Sequence, residues 1–339
     1  MSAIAVVGAG AWGTALSIAL GRKGSHEIRL WAHETQVVDS IASRRVNELF
    51  LPGAIIPECV SATTSLQQAL RGAGMVVTVM PSQHCRAVCS QMLPFLSHGP
   101  LFVSATKGLE ESSLLRMTEV IAQVLQSGDG MNARIGALSG PSFAKEVARG
   151  DPTAVTIASQ DSELLELVQR EFSDPRFRVY TNSDVTGVEL GGALKNIIAI
   201  AAGVCDGLGL GHNSIAALIT RGLAEITRLV VACGGRPDTM AGLAGLGDLV
   251  LTCTGGLSRN RSVGVELGKG RALADILAGM HGMVAEGVFT THAAVELARA
   301  RKIEMPITEQ MDAILHQGKS APDAIHALMT RSGKSETSF

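Results

Sequence analysis

Aromatic residues are scarce. They make up 3% of 339 residues, with two Trp and one Tyr. A core built from such a chain is Ala, Val, Ile and Leu under close helix packing. Net charge is nearly absent too, at −2 from 29 basic and 31 acidic residues. No basic excess points to nucleic acid or to an anionic membrane surface. Metal-ligand spacing is missing. Cys85 and Cys89 form CxxxC beside His84, but no second pair follows at zinc spacing. The six cysteines read as reduced thiols in a cytosolic protein, and no metal is expected. "MSAIAVVGAGAWG" lacks the basic and apolar regions of a signal peptide, so a cytoplasmic location is expected. The apolar run between Lys195 and Asp206 falls far short of the ~20 residues of a membrane span, so none is expected.

What the chain does contain is glycine, 38 residues, and apolar residues, 46% against 18% charged. That balance excludes global disorder, and the length suggests two domains. In the first half, short apolar runs alternate with helical patterns. "IAVVGAG", "EIRLWAH", "MVVTVMP", "LFVSATKG", "RIGALSGP" and "TAVTIAS" read as strands. "WGTALSIALGRKG", Ser82 to Leu96 and "SELLELVQREFS" read as helices. The fold class is α/β: a Rossmann-like, doubly wound parallel sheet, covered on both faces. After about residue 185 the strand signal stops. Helices are expected over 186–204, 213–233, 259–269, 271–280, 290–301, 306–317 and 322–330, with a loop-rich stretch before 258. The expected domains are 1–188, dinucleotide-binding, and 189–339, all-helical and substrate-binding.

"GAGAWG" sets Gly8, Gly10 and Gly13 at GxGxxG spacing, directly after a strand and opening a helix. In that context Gly8 permits the tight turn, Gly10 lets backbone approach a pyrophosphate, and Gly13 lets helix pack on strand. The residue ending the second strand reports coenzyme choice, because an acid there repels a 2′-phosphate. If His33 faces the ribose, NADP is tolerated or preferred. If Glu34 does, NAD is favoured.

A nicotinamide enzyme also needs a proton donor, and "GVELGGALKN" places Lys195 in a glycine- and alanine-rich helix. It is either a snorkelling lysine or an acid–base group whose pKa is lowered by burial or a nearby cation. Lys107, at a strand's C-terminal end, is the candidate second cation. In "TCTGGLSRNRSVG", Ser258, Arg259, Asn260 and Arg261 open a helix. They form either an anion site or a capped surface helix. Asp248, after a glycine-rich turn, could hold a lysine, accept from substrate hydroxyls, or act as a cap.

Together "GAGAWGTALS", "SATKGLE", "LSGPSFAKE", "ELGGALKNIIAIAAG", "AGLGDLVLTCTGGLSRNRSVG" and "VAEGVFT" resemble the bacterial NAD(P)-dependent glycerol-3-phosphate dehydrogenases, in that family's order and over nearly the whole chain. The resemblance implies NAD(P)H-dependent, reversible reduction of dihydroxyacetone phosphate to sn-glycerol 3-phosphate, feeding phospholipid synthesis, in a homodimer. It implies Lys195 as the catalytic acid–base residue. Substrate contacts implied are Lys107, Gly140, Ser142, Asp248, Ser258, Arg259 and Asn260. Cofactor contacts implied for NADP or NAD are Trp12, His33, Lys107, Ala144, Arg259, Val284 and Glu286, beside the three loop glycines. Relatives often carry Arg where this chain has His33. Competing expectations are a 6-phosphogluconate or hydroxyacyl-CoA type dehydrogenase, and a non-catalytic dinucleotide sensor.

Overall fold

The computed structural model describes residues 3–96, 99, 101–129, 134–280, 283–333, 335 and 336. The chain divides into two compact units. One is Met1–Lys107 with Arg116–Val185, and the other is Gly108–Leu115 with Thr186–Phe339. The sequence pattern changes at nearly the same place but gives no sign that Gly108–Leu115 belongs with the helical unit.

The first unit holds strands β1 (Ala3–Val7), β2 (Glu27–Trp31), β3 (Val46–Asn47), β4 (Leu51–Ile55), β5 (Val60–Thr63), β6 (Ala73–Thr78), β7 (Leu101–Ser104), β8 (Arg134–Ser139), β9 (Thr153–Ala158) and β10 (Phe177–Asn182). Its helices are α1 (Ala11–Arg22), α2 (Thr35–Arg44), α3 (Leu66–Leu70), α4 (Cys85–Met92), α5 (Met117–Asp129), α6 (Ala144–Arg149) and α7 (Ser162–Phe172). The sheet order is β10-β9-β8-β7-β6-β1-β2-β5, and β3 and β4 form a separate antiparallel pair. All five residues of β1 are buried, as a parallel strand covered on both faces requires. Ile4, Val6, Val77 and Val103 share one core with Leu16 and Leu20 of α1, Val147 of α6 and Phe172 of α7. The alternate residues Ala5, Val7, Val76 and Phe102 are equally buried, so the other face is covered as well. Each fully buried Leu, Ile or Phe contributes about 1.5–3 kcal/mol to this arrangement.

The sheet is parallel, as expected, with one exception. β9 runs antiparallel to β8, while β10 runs parallel to β9. A parallel return needs a crossover that spans the sheet. Residues 140–152 instead carry only the short α6, which packs on α1. The edge strands β5 and β10 escape the sequence pattern because each is mostly uncovered: β5 buries only Val60, and β10 only alternate residues. In β10 these are Phe177 and Val179.

The second unit is helical: α8 (Val185–Gly207), α9 (His212–Ala232), α10 (Pro237–Met240), α11 (Asp248–Thr254), α12 (Arg259–Gly268), α13 (Leu273–Ala278), α14 (Glu286–Arg301), α15 (Pro306–His316) and α16 (Ala321–Met329). A π-helical turn, Leu243–Gly247, leads into α11. The stretch expected to be loop-rich is therefore helical, its glycines having masked the pattern. The central helix α8 meets the length and hydropathy of a membrane span, yet 94% of its apolar window is buried. Its Leu194, Ile197, Ile198 and Ala201 form the core with Ile226 and Leu229 of α9, Ala294 of α14 and Met311 of α15.

Candidate active site

In the first unit, the loop between β1 and α1 is shaped by three glycines. Gly8 has φ +122°, and a Cβ there would lie 2.6 Å from the Val79 carbonyl oxygen. A Cβ at Gly13 would lie 1.9 Å from Gly8 O, so helix and loop touch backbone to backbone. At Gly10 a Cβ would meet nothing within 4 Å. Two glycines therefore close the turn and the third leaves bare backbone facing open space. Gly10 caps α1 without a side-chain hydrogen bond, so the amide donors and positive dipole end of that helix remain available to an anion. These residues fit a dinucleotide pyrophosphate. Trp12 Nε1 is buried with no hydrogen-bond partner among the described residues.

Beyond β2, His33 is exposed and its ring stands 6.3 Å from that of Trp31. Glu34 is half-buried at the N-cap of α2. Both lie past the strand end, so the choice between them as ribose neighbour stays as the sequence left it.

Three sequence-predicted residues meet at one carbonyl. Lys107 Nζ donates to Gly140 O at 3.1 Å, and Ser142 Oγ donates to the same oxygen at 2.9 Å. Gly140 has φ +137°, and a Cβ would lie 2.9 Å from Val155 Cα. A side chain is therefore excluded at this turn by conformation and by space. Thr106 Oγ1 donates to Met80 O at 3.0 Å, tying the Lys107 loop to the end of β6. Ala144, the first residue of α6, is half-buried.

In the second unit, Lys195 lies midway along α8 and is only 6% exposed. Its Nζ donates to Thr252 Oγ1 at 2.6 Å and stands 3.1 Å from Asp248 Oδ1. Thr252 Oγ1 in turn donates to Asp248 O at 2.6 Å. Asp248 is 1% exposed. Asp248 and Thr252 share one face of α11 because they are four residues apart. Sequence reasoning sought a cation beside Lys195. The group that the structure places there is a carboxylate, which favours the ammonium form, while burial opposes it. Of the readings open for Asp248, holding a lysine is the one that the geometry shows. The same surroundings push the Cys253 thiol up to about 12, chiefly by burial, so it is an inert neighbour.

Close packing explains the glycines around Lys195. A Cβ at Gly191 would lie 2.8 Å from Ala244 O of the π-turn. Further along, Cβ atoms at Gly203 and Gly264 would each lie 2.0 Å from a backbone oxygen of the opposite helix, Arg261 O and Ile200 O. The helices α8 and α12 thus cross at backbone contact, which aligns Asn196 with the start of α12. Asn260 Nδ2 donates to Asn196 Oδ1 at 2.9 Å, and Asn260 Oδ1 accepts from Gly287 N at 3.0 Å. This second bond satisfies an amide in the first turn of α14, whose N-cap Ala285 offers no side chain for it.

Ser258 is the N-cap of α12, accepting from Arg261 N at 3.2 Å. Arg259 is exposed at the next position, and among the described residues its guanidinium makes no hydrogen bond. Partial withdrawal from water pushes its pKa down, and the Glu286 carboxylate acts in the opposite direction. A cation in that setting at a helix N-terminus can receive an anion. Arg261 is different: its guanidinium is paired with Asp206 at 2.9 Å. Val284 is half-buried ahead of α14.

Thr252, Asn196 and Asn47 were missed from sequence. Thr252 had a signal, its i+4 spacing from Asp248, and Asn196 is next to Lys195. Asn47 sits 38 residues from the backbone it contacts.

Chemically, the second unit offers a buried amine held by a carboxylate and a hydroxyl, with a guanidinium at a helix N-terminus that makes no hydrogen bond among the described residues. The first offers a dinucleotide loop. Family models agree with both. Residues 3–165 match the NAD-dependent glycerol-3-phosphate dehydrogenase N-terminus, and residues 184–326 match its C-terminus. The chain is 68% identical over 336 residues to a glycerol-3-phosphate dehydrogenase (NAD(P)+) of Koribacter versatilis, covering 99% of both chains. It is 55% identical to one from Acidobacterium capsulatum, covering 99% of this chain and all of that one. A crystal structure of glycerol-3-phosphate dehydrogenase from Coxiella burnetii superposes with TM-score 0.92 at 42% identity, covering 97% of this chain and 99% of that one. With the dinucleotide loop and the buried amine both in place, the chain belongs to the NAD-dependent glycerol-3-phosphate dehydrogenase family.

Proposed function

We propose that the protein reduces dihydroxyacetone phosphate to sn-glycerol 3-phosphate with NADPH or NADH, and catalyses the reverse reaction. The observation that carries this reading is the buried Lys195 amine fixed by Thr252 and Asp248. When bound, the reduced nicotinamide supplies a hydride to the carbonyl carbon. The Lys195 ammonium gives its proton to the carbonyl oxygen and is reprotonated from solvent. Asp248 holds the ammonium charged and aimed, and Thr252 fixes its direction through a single hydroxyl that accepts from Lys195 while donating to backbone. Relatives named for this activity leave the 6-phosphogluconate, acyl-CoA and sensor alternatives unfavoured.

Gly8, Gly10, Gly13 and Trp12 hold the coenzyme's pyrophosphate end, and His33 stands by the ribose. Lys107 and Ala144 contact the coenzyme from the strand ends, with Arg259, Val284 and Glu286 assigned to it from the helical unit. Substrate falls to Lys107, Gly140, Ser142, Asp248, Ser258, Arg259 and Asn260, with Arg259 and the α12 amides taking the phosphate. The first unit then serves as the dinucleotide-binding domain and the second as the substrate-binding domain. The product supplies glycerophospholipid synthesis in the cytoplasm, and the working enzyme is a homodimer, which sedimentation equilibrium tests directly.

The test of the activity is oxidation of NADPH and NADH with dihydroxyacetone phosphate, using unphosphorylated dihydroxyacetone as control. Turnover of the phosphorylated ketone alone is expected, and no turnover of either refutes the reading. For the coenzyme, His33→Asp is expected to weaken NADPH selectively, because a carboxylate repels a 2′-phosphate. Unchanged NADPH affinity in that variant transfers the ribose position to Glu34.

A further inference from the structure

Asn47 is fully buried, on the two-residue strand β3. Its carboxamide is nearly saturated by the coenzyme loop and its own turn. Nδ2 donates to Ala9 O at 2.8 Å and to Thr14 Oγ1 at 2.8 Å, and Oδ1 accepts from Phe50 N at 3.1 Å. Thr14 Oγ1 donates to Ala9 O at 3.3 Å. Two donors therefore converge on one carbonyl in the middle of GAGAWG. The Ala9–Gly10 peptide is trans, and a planar trans peptide points its C=O and N–H in opposite directions. Fixing the carbonyl inward sends the Gly10 N–H outward. That N–H makes no hydrogen bond among the described residues, and the space beside Gly10 Cα is open for 4 Å.

We infer that Asn47 is a positioning residue for the coenzyme: by holding the Ala9 carbonyl, it aims the Gly10 N–H at the coenzyme's pyrophosphate. The inference rests on the reading that the GAGAWG loop holds the coenzyme. A side chain that merely anchored the β3–β4 hairpin would bond to hairpin backbone. Asn47 spends one bond there and two on the loop and the first turn of α1. Asp in its place keeps the shape, removes the Nδ2 donor and sets a carboxylate against the Ala9 oxygen. Repelled by that carboxylate and held only by the longer Thr14 bond, the Ala9–Gly10 peptide rotates away, and the Gly10 N–H loses its direction.

The experiment is NADPH titration followed by coenzyme fluorescence, with melting temperature, kcat and the KM for dihydroxyacetone phosphate measured on the same preparations. Asn47→Asp is expected to raise the NADPH dissociation constant about 10- to 100-fold, the range of a lost charge-assisted hydrogen bond. kcat at saturating NADPH and the KM for the ketone should stay within about threefold, since neither depends on the loop amide. Thr14→Val removes the second donor and is expected to weaken NADPH about three- to tenfold, with Thr14→Ser restoring it. If Asn47→Asp does not fold, the Thr14 pair decides the matter. A folded Asn47→Asp protein that binds NADPH within twofold of the parent overturns the inference. So does a uniform loss in which NADPH affinity and melting temperature fall while the ketone KM rises beyond threefold. Gly10→Val separates this from failure of the underlying reading. Its added side chain enters open space, so the fold survives. Unchanged NADPH binding by Gly10→Val sinks the loop as coenzyme site. Loss of binding in Gly10→Val with retention in Asn47→Asp sinks only the role of Asn47.

Discussion

Two of the buried ionisable side chains of the helical unit, Lys195 and Glu225, are held by opposite means. Lys195 has a full counter-charge, Asp248, and a hydroxyl that fixes its direction. Glu225, 2% exposed on α9, has no carboxylate-to-cation bond among the described residues. It accepts instead from Ile307 N at 2.7 Å, Thr308 N at 3.2 Å and Thr308 Oγ1 at 3.3 Å, at the start of α15. There it replaces the missing cap of a helix whose own N-cap, Met305, contributes no side-chain bond. Burial pushes its carboxyl up to about 7 against the pull of those amides and the Arg228 charge. One site pairs its ammonium with a carboxylate, and on the proposed function that ammonium is the proton donor. The other tolerates a group at the edge of neutrality because only its hydrogen bonds matter. Burial of a charge therefore does not itself mark chemistry, and the partner it is given does.

The sharpest way to break this distinction is to remove both groups in turn. Lys195→Met should cut kcat by about 10²–10⁴, the share of a positioned acid–base group. It should also destabilise the fold by about 3–5 kcal/mol, because Asp248 is left buried without its counter-charge. Adding Asp248→Asn should recover most of the stability and none of the turnover, as read from urea unfolding beside steady-state rates. A Lys195→Met enzyme with parental kcat would strip Lys195 of its role.

Glu225→Ala should show the reverse pattern, about 1–3 kcal/mol of stability lost at unchanged kcat. Glu225→Gln sharpens it through pH. The folded-state pKa lies above the ordinary 4.5. Between pH 4.5 and 7 the native protein therefore retains a proton that the unfolded chain has released, and stability falls as pH rises. The fall attributable to this group is up to about 3 kcal/mol across that window. The Gln variant should lack it, and parallel pH–stability curves for the two proteins would contradict the assignment.

Arg259 supplies the third case, a charge without a hydrogen-bonded partner. Arg259→Ala should lower kcat/KM for dihydroxyacetone phosphate by about 1.5–3 kcal/mol and leave the slow turnover of dihydroxyacetone nearly unchanged. Equal losses for both ketones would assign Arg259 to the coenzyme or the fold.

The sequence made some of this legible and concealed the rest for physical reasons. GAGAWG could be read because its neighbours, a buried strand and a helix, are local. Lys195 stood out because glycine and alanine surround it, and the structure shows those glycines meeting backbone at Ala244 and Arg261. The direction of β9 could not be read, since an apolar strand has the same pattern whichever way it runs. β10 hid behind Arg178 and Tyr180, an exposed pair stacked as cation and ring at 5.0 Å. α11 was obscured by the glycines ahead of it, and with it the Asp248–Thr252 face. Asn47 was invisible because its partners in the coenzyme loop and α1, Ala9 and Thr14, are remote in the chain.

The crossing of α8 and α12 has a consequence for how this scaffold can change over evolutionary time. Gly203 and Gly264 bring the two helices together main chain against main chain. The spacing between the two helices is consequently set by van der Waals contact of main chain on main chain at Gly203 and Gly264, with no side chain at those two positions to trim or enlarge. On the proposed function, in which Lys195 and Arg259 hold the two ends of the substrate, a lineage selecting for a longer or shorter substrate could not adjust that span in small steps. The first extra carbon atom at either glycine would collide with a carbonyl oxygen. Variation in substrate length would have to come from the rim, by replacing Arg259 or its neighbours, while the span itself is inherited unaltered.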